Sequence, residues 1–259
     1  MPWQVCGDDF ENLQSLTSSN ISNVSLENRR GIMTYDFNGF CVLVKATIEQ
    51  VGQAICQMKQ VINWEHDVYE REIEIVELPS FLMLQLRKHS WTIISPFILL
   101  PNNIISLTEE TAKSMSLWLH TKSIYFIASD VGCYSGYHLY NNGQSIERLY
   151  AEQGDYDLII QFPNNRIESS NNRDEDEYRS ENGFCKFRSH LRKLKADQIQ
   201  DPDAFTNEFL QEQDVLVIDF YLLNRFKGEK KYTVASWLKR DDLERVDYVT
   251  LSQACTDLR

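Results

Sequence analysis

Cysteine, histidine and aspartate meet in one short segment, Asp130-Val-Gly-Cys133-Tyr-Ser-Gly-Tyr-His138. A thiolate nucleophile needs a neighbouring base, and the base needs an orienting acid, so Cys133, His138 and Asp130 are the candidate catalytic set of a hydrolase. The local pattern offers a second reading. Cys133 sits in a glycine-flanked turn and not at a helix start that would lower its pKa. His138 alternates with Tyr137 and Leu139 as an ordinary sheet residue would.

Other candidates suit binding better than catalysis. Arg87-Lys88-His89-Ser90-Trp91 concentrates cation, imidazole and indole, and Arg87, His89 and Trp91 could form a cleft lip or an anchor on a binding surface. Lys186, Arg188, Arg192, Lys193 and Lys195 surround Phe187, Leu191 and Leu194, which predicts a basic helix over 187–199. Its charges are read as solvated, as pairing with the adjacent acids Asp174, Glu175, Asp176 and Glu177, or as docking a partner. Nucleic acid would require this helix to join Arg225, Lys227, Lys230 and Lys231 in one stripe, and it lacks a recognisable motif. Glu70, Glu72, Glu74 and Glu77 stripe a strand and read as its wet face. His66, His89 and His120 stand apart, without the paired spacing of a metal site, so no metal and no cofactor is expected.

Composition narrows the function classes. The 259 residues carry a formal net charge of −12, which disfavours a phosphate backbone and keeps a protein soluble, or captures a basic partner. Six scattered cysteines lack any C-x-x-C pair, which fits reduced thiols. The start of the chain lacks a signal-peptide pattern, and the longest apolar run, Ile93 to Leu100, is broken by Ser95 and Pro96. A cytoplasmic protein without a membrane span is expected.

The elements that would position these residues read as α+β. Phe40 to Lys45 forms an apolar strand; Thr47 caps a helix carrying Ile48, Val51 and Ile55; strands follow in Tyr69–Leu78, Phe81–Arg87 and Trp91–Ser95. A second helix begins at Thr108 with a capping signal, followed by a buried strand Ser123–Ala128 and a hairpin across Asn142-Gly143 of predicted type I′. Tyr156–Phe162 is a further strand. A third pass follows: helix Asp203–Gln213, strand Val215–Leu222 and a return strand Lys230–Leu238 across Lys227-Gly228. The expected architecture is a largely antiparallel twisted sheet with helices packed on one face and helix–strand–strand units recurring. Residues 1–30 form a loosely ordered lead-in with a short helix near Phe10–Leu16. Residues 31–163 form the main domain, 164–182 an exposed acidic, Asn-rich loop, and 183–259 an extension or small second lobe.

Function is not written in any of these motifs. An acidic α+β chain of this kind is similar in general character to bacterial immunity or accessory proteins, a resemblance carried by no motif. The leading expectation is an interaction protein, acting as an inhibitor, immunity or regulatory partner by protein–protein binding. The alternatives are the Cys133/His138/Asp130 hydrolase and nucleic-acid binding through the basic helix.

Overall fold

The computed structural model describes residues 26–33, 39–74, 78–96, 108–129, 133–153, 176–180, 183–218, 221–223, 231–235 and 239–252. The strands, in chain order, are β1 (Gly31–Ile32), β2 (Gly39–Val44), β3 (Val61–Glu65), β4 (Glu72–Glu74), β5 (Ser80–Leu86), β6 (Thr92–Pro96), β7 (Lys122–Ser129), β8 (Tyr134–Asn141), β9 (Gln144–Gln153), β10 (Asp176–Ser180), β11 (Gly183–Ser189), β12 (Leu216–Val217), β13 (Tyr221–Leu223), β14 (Lys231–Ala235) and β15 (Leu243–Leu251). The helices are α1 (Ile48–Met58), α2 (Glu109–Trp118) and α3 (Pro202–Glu212). Ten strands form one sheet in the order β10-β11-β9-β8-β7-β2-β6-β5-β15-β3, and every neighbouring pair in it is antiparallel. Beside it lie a short parallel pair, β1 with β12, and a three-stranded sheet, β13-β14-β4.

Alternation along the central strands sends side chains into two cores. Cys41, Leu43, Leu82, Leu84, Ile124, Phe126 and Tyr137 enter one, while Phe40, Val42, Val44, Phe81, Met83, Tyr125 and Ile127 enter the other. A strand buried on both faces is largely apolar, which is why β2 reads as a continuous hydrophobic run and β5 as one broken only by Ser80 and Gln85.

The helices cover both faces. α1 and α2 add Ile48, Val51, Ile55, Ala112 and Met115 to the second core, whereas α3 adds Phe209 and Leu210 to the first. This corrects the expectation of helices on one face only. The strands after each helix also pair differently: β3 and β4 lie in separate sheets, β7 and β8 are direct neighbours, and β12 pairs with β1.

Local signals explain each helix start. Thr47 Oγ1 accepts from the Gln50 amide at 3.3 Å while Gln50 Oε1 accepts from the Thr47 amide at 3.1 Å, a complete capping box. Asp201, two residues before the expected start, caps α3 by accepting from the amides of Asp203 and Ala204, with Pro202 in the first turn. Thr108 makes no side-chain cap bond at α2, so the Thr-Glu-Glu-Thr signal is not used as such.

The Asn142-Gly143 hairpin forms as expected, with φ of 50° and 75° at its two central residues, both positive as a type I′ turn requires. The predicted basic helix over 187–199 does not form. Residues through Ser189 continue β11 with Cys185 and Phe187 buried, and only a 3-10 turn, Ala196–Gln198, follows. Asp176 and Glu177 belong to β10 and not to a loop, while Asp174 and Glu175 lie outside the described residues. The single strand expected over Val215–Leu222 is divided between β12 and β13. Strands β3 and β15 were not foreseen; β15 joins β5 to β3 and so carries C-terminal residues into the main sheet. The expected elements at Phe10–Leu16 and Tyr156–Phe162 lie outside the described residues.

Candidate functional site

His138 is buried on β8, facing the core covered by α1 and α2. Its ring stacks on Tyr140 at 4.1 Å, its Nε2 lies 2.6 Å from Ser145 Oγ, and its Nδ1 lies 3.2 Å from Glu109 Oε2. A β-bulge between β8 and β9 creates this grouping. Leu139 pairs with Glu147 but Tyr140 pairs with Ser145, so one extra β9 residue turns Ser145 onto the His138 face. Glu109, in the first turn of α2, also accepts from Arg148 Nη2 at 3.2 Å. Burial alone would push its carboxyl up, but hydrogen bonds from His138 and Tyr140 and the nearby Arg148 charge hold it below the ordinary carboxylate range. With Nδ1–H donating to Glu109, Nε2 accepts from the serine hydroxyl, the tautomer of a hydroxyl–imidazole–carboxylate relay.

Cys133 does not join this group. It is exposed in a turn at φ 50°, and the four strand steps from Tyr134 to His138 span about 13 Å at the usual strand rise. The expected Cys133–His138 pairing is therefore corrected: the hydroxyl next to the imidazole is Ser145, which the sequence reading missed. Asp130 lies outside the described residues.

The opposite face of the same hairpin holds Glu147, whose side chain is fully buried. It accepts from Tyr137 Oη at 2.7 Å, Ser189 Oγ at 2.5 Å and Arg192 Nε at 3.1 Å. Arg192 also pairs with Glu212 of α3 and lies over the Phe205 ring at 5.1 Å. Arg192 is thus an internal tie between β9 and α3. Lys193 is exposed beside it, and Leu191 is 62% exposed.

The Arg87–Trp91 segment is also structural. His89 is buried with Nε2 3.0 Å from the Leu26 carbonyl, and burial lowers its pKa. Trp91 is buried and donates to the Gln213 carbonyl at 3.1 Å. Arg87 Nη2 donates to the Leu243 carbonyl at 3.3 Å. Buried in this way, His89 and Trp91 join the 26–28 turn and α3 to the sheet and form no surface anchor. Glu72 and Glu74 lie on the wet side of β4 around buried Ile73, Glu70 lies in a turn, and Glu77 is outside the described residues. Lys231 belongs to β14, away from β11, while Arg225, Lys227 and Lys230 are outside the described residues, so the basic stripe required for nucleic acid is not assembled among those described.

A surface the sequence reading did not assemble lies at the β8–β11 end of the sheet. Register aligns Lys186 with Tyr150 and Gly136, and Phe184 with Glu152 and Tyr134. On β11, Cys185 and Phe187 point into the core, leaving Phe184, Lys186 and Arg188 half-buried on the other side. Arg179 and Lys186 flank the Phe184 ring at 4.9 and 5.2 Å, and both pair with Glu177. Tyr150 packs over Gly136, where any Cβ would meet the Leu149 carbonyl at 2.6 Å. α2 reaches over β7 and β8 and ends at β9, so the outer strands keep this face open among the described elements.

Among the described residues, no group of acidic, histidine and cysteine side chains could hold a metal ion, and no helix is long and apolar enough to cross a membrane. Comparison of the chain with protein-family models, curated proteins and solved structures returned no match.

Proposed function

We propose that this chain is a protein-binding module, acting as an inhibitor, immunity or regulatory accessory protein, whose partner docks on the open β8–β11 face. The supporting observation is the half-exposed set Tyr134, Tyr150, Phe184, Lys186 and Arg188 on one side of a rigid sheet. Aromatic and arginine side chains dominate the energetics of protein interfaces, and the aromatic ones bury large area at little entropic cost. Sheet strands hold their backbone in register, so only side-chain rotamers remain to be ordered on binding. Glu152 and Glu177 stand within the same face, and the chain is strongly acidic, which favours a polypeptide over a phosphate backbone. A photo-crosslinking residue at Phe184, with Glu208 on α3 as control, tests this in the native host. A discrete protein adduct at 184 that is absent at 208 and lost on Lys186→Glu/Arg188→Glu supports the reading. No adduct at 184, or the same adduct at both positions, overturns it.

A second reading rests on the Ser145–His138–Glu109 relay, which would make Ser145 an acyl-transfer nucleophile. It is the weaker reading, because His138 is only 6% exposed and the Tyr140 hydroxyl, 2.8 Å away, competes for Nδ1. Fluorophosphonate labelling of Ser145 that disappears in His138→Gln would favour it, and an unlabelled native protein would remove it.

A further inference from the structure

On the other side of the sheet from the docking face, an open cleft of about 550 Å³ lies between the 26–33 segment and α3. Its apolar wall is Ile32, Met33 and Leu216, and its polar rim is Asn28, Arg29, Arg30 and Gln211. We propose that this cleft binds a small organic anion, with a carboxylate or phosphate head on the arginine rim and an apolar body against the wall.

Three features carry this. The first is charge: among the described residues two arginines, Arg29 and the Asp214-paired Arg30, line the cleft and no carboxylate does, on a chain whose net charge is −12. The second is unused donor capacity. Arg30 is fixed by an ion pair from its Nε to Asp214 and by Nη1 bonds to the Glu27 and Arg29 carbonyls, which leaves Nη2. Arg29 has no carboxylate within salt-bridge distance among the described residues, so its planar fork is available for bidentate contact with an oxyanion.

The third feature is rigidity. β1 is hydrogen-bonded along one edge to the β12 segment, through Gly31 N to the Val215 carbonyl and Met33 N to the Val217 carbonyl. Asn207 of α3 accepts from the Ile32 amide at 2.8 Å. Gly31, at φ 92°, lets this backbone approach α3 so closely that any side chain there would collide with Asn207. The cleft is open and its lining is more polar than apolar, so the arginine head-group contacts, rather than enclosure, would have to supply most of the affinity.

The test uses the full chain and two probes, phenyl phosphate and benzoate, with benzyl alcohol as the uncharged control, read by titration calorimetry and ligand-observed NMR. Saturable binding of one or both anions, weakened about tenfold by Arg29→Ala and restored in part by Arg29→Lys, is the expected result. The stronger of the two anions identifies the head group. No saturable binding of either anion, equal binding of benzyl alcohol, or affinity unchanged in Arg29→Ala would each overturn the proposal. Arg29 makes no tertiary ion pair among the described residues, so its variants should remain folded. Failure here leaves the docking-face reading intact, because Phe184 and Arg29 lie on opposite sides of the sheet.

Discussion

Replacing Asp247 by Asn should weaken the fold sharply while changing almost no volume. Asp247 sits in the middle of β15 with its side chain fully buried. It accepts from Trp64 Nε1 at 2.7 Å, the Asp67 amide at 2.9 Å and Arg245 Nε at 2.6 Å, with His66 Nδ1 at 3.2 Å. Burial disfavours its charge, yet the Arg245, Asp67 and Trp64 bonds outweigh this and hold its pKa below the ordinary aspartate value. An asparagine cannot accept all of these bonds, and its amide hydrogens would face donors. Removing one member of a buried charge pair costs about 3–5 kcal/mol. Arg245 is 24% exposed and keeps Glu49 at 3.0 Å, so the lower end, about 3 kcal/mol, is expected. That is a large part of a typical 5–15 kcal/mol stability and corresponds to roughly 6–12 °C in Tm for a chain of this size. Urea unfolding followed by tryptophan fluorescence measures it, with the slope unchanged and the midpoint lowered. Because the folded-state pKa is depressed, the carboxylate's contribution is present above about pH 4 and is lost as pH falls through the folded value. Asp247→Asn should therefore also flatten the acid limb of the stability–pH curve. A loss below about 1 kcal/mol at neutral pH would refute the reasoning.

Three further outcomes follow from single positions. Gly143→Val should cost about 1–3 kcal/mol, because φ is 75° there and a Cβ would lie 3.0 Å from Leu117 Cβ, whereas Asn142→Gly should be nearly neutral; thermal unfolding of the pair checks the turn. Gly52→Ala should destabilise even though alanine is favoured by about 1 kcal/mol within a helix, because a Cβ at Gly52 would enter the Trp64 ring; a raised melting temperature would contradict the packing. Burial lowers the His89 pKa from 6.5, so the folded state binds this proton less readily than the unfolded chain, and stability should fall as pH drops below about 6.5. Calorimetry of His89→Gln should show that part of the slope removed.

The sequence by itself determined the elements whose chemistry is local. Thr47 and Gln50 cap a helix with each other, Asn142-Gly143 tolerates two positive φ angles, and the run from Phe40 to Val44 is apolar enough for only a doubly buried strand. Phe187, Leu191 and Leu194 match a helical period, yet Phe187 is in a strand, because β9 offers it a full ladder of hydrogen bonds and α3 supplies Phe205 at 5.6 Å. β15 was invisible for a related reason: its Glu244, Arg245 and Asp247 mask the apolar alternation, and only Trp64, Asp67 and Arg245 make a buried aspartate tolerable. The functional candidates divide in the same way. Residue types at Cys133 and His138 suggested a pair, but strand rise separates them and a bulge supplies Ser145 instead. The proposed docking face unites β8, β9 and β11, and the cleft unites residues 28–33 with 211–216. Such groupings depend on strand order and on which face each register exposes, and both are set by long-range pairing that no local spacing encodes.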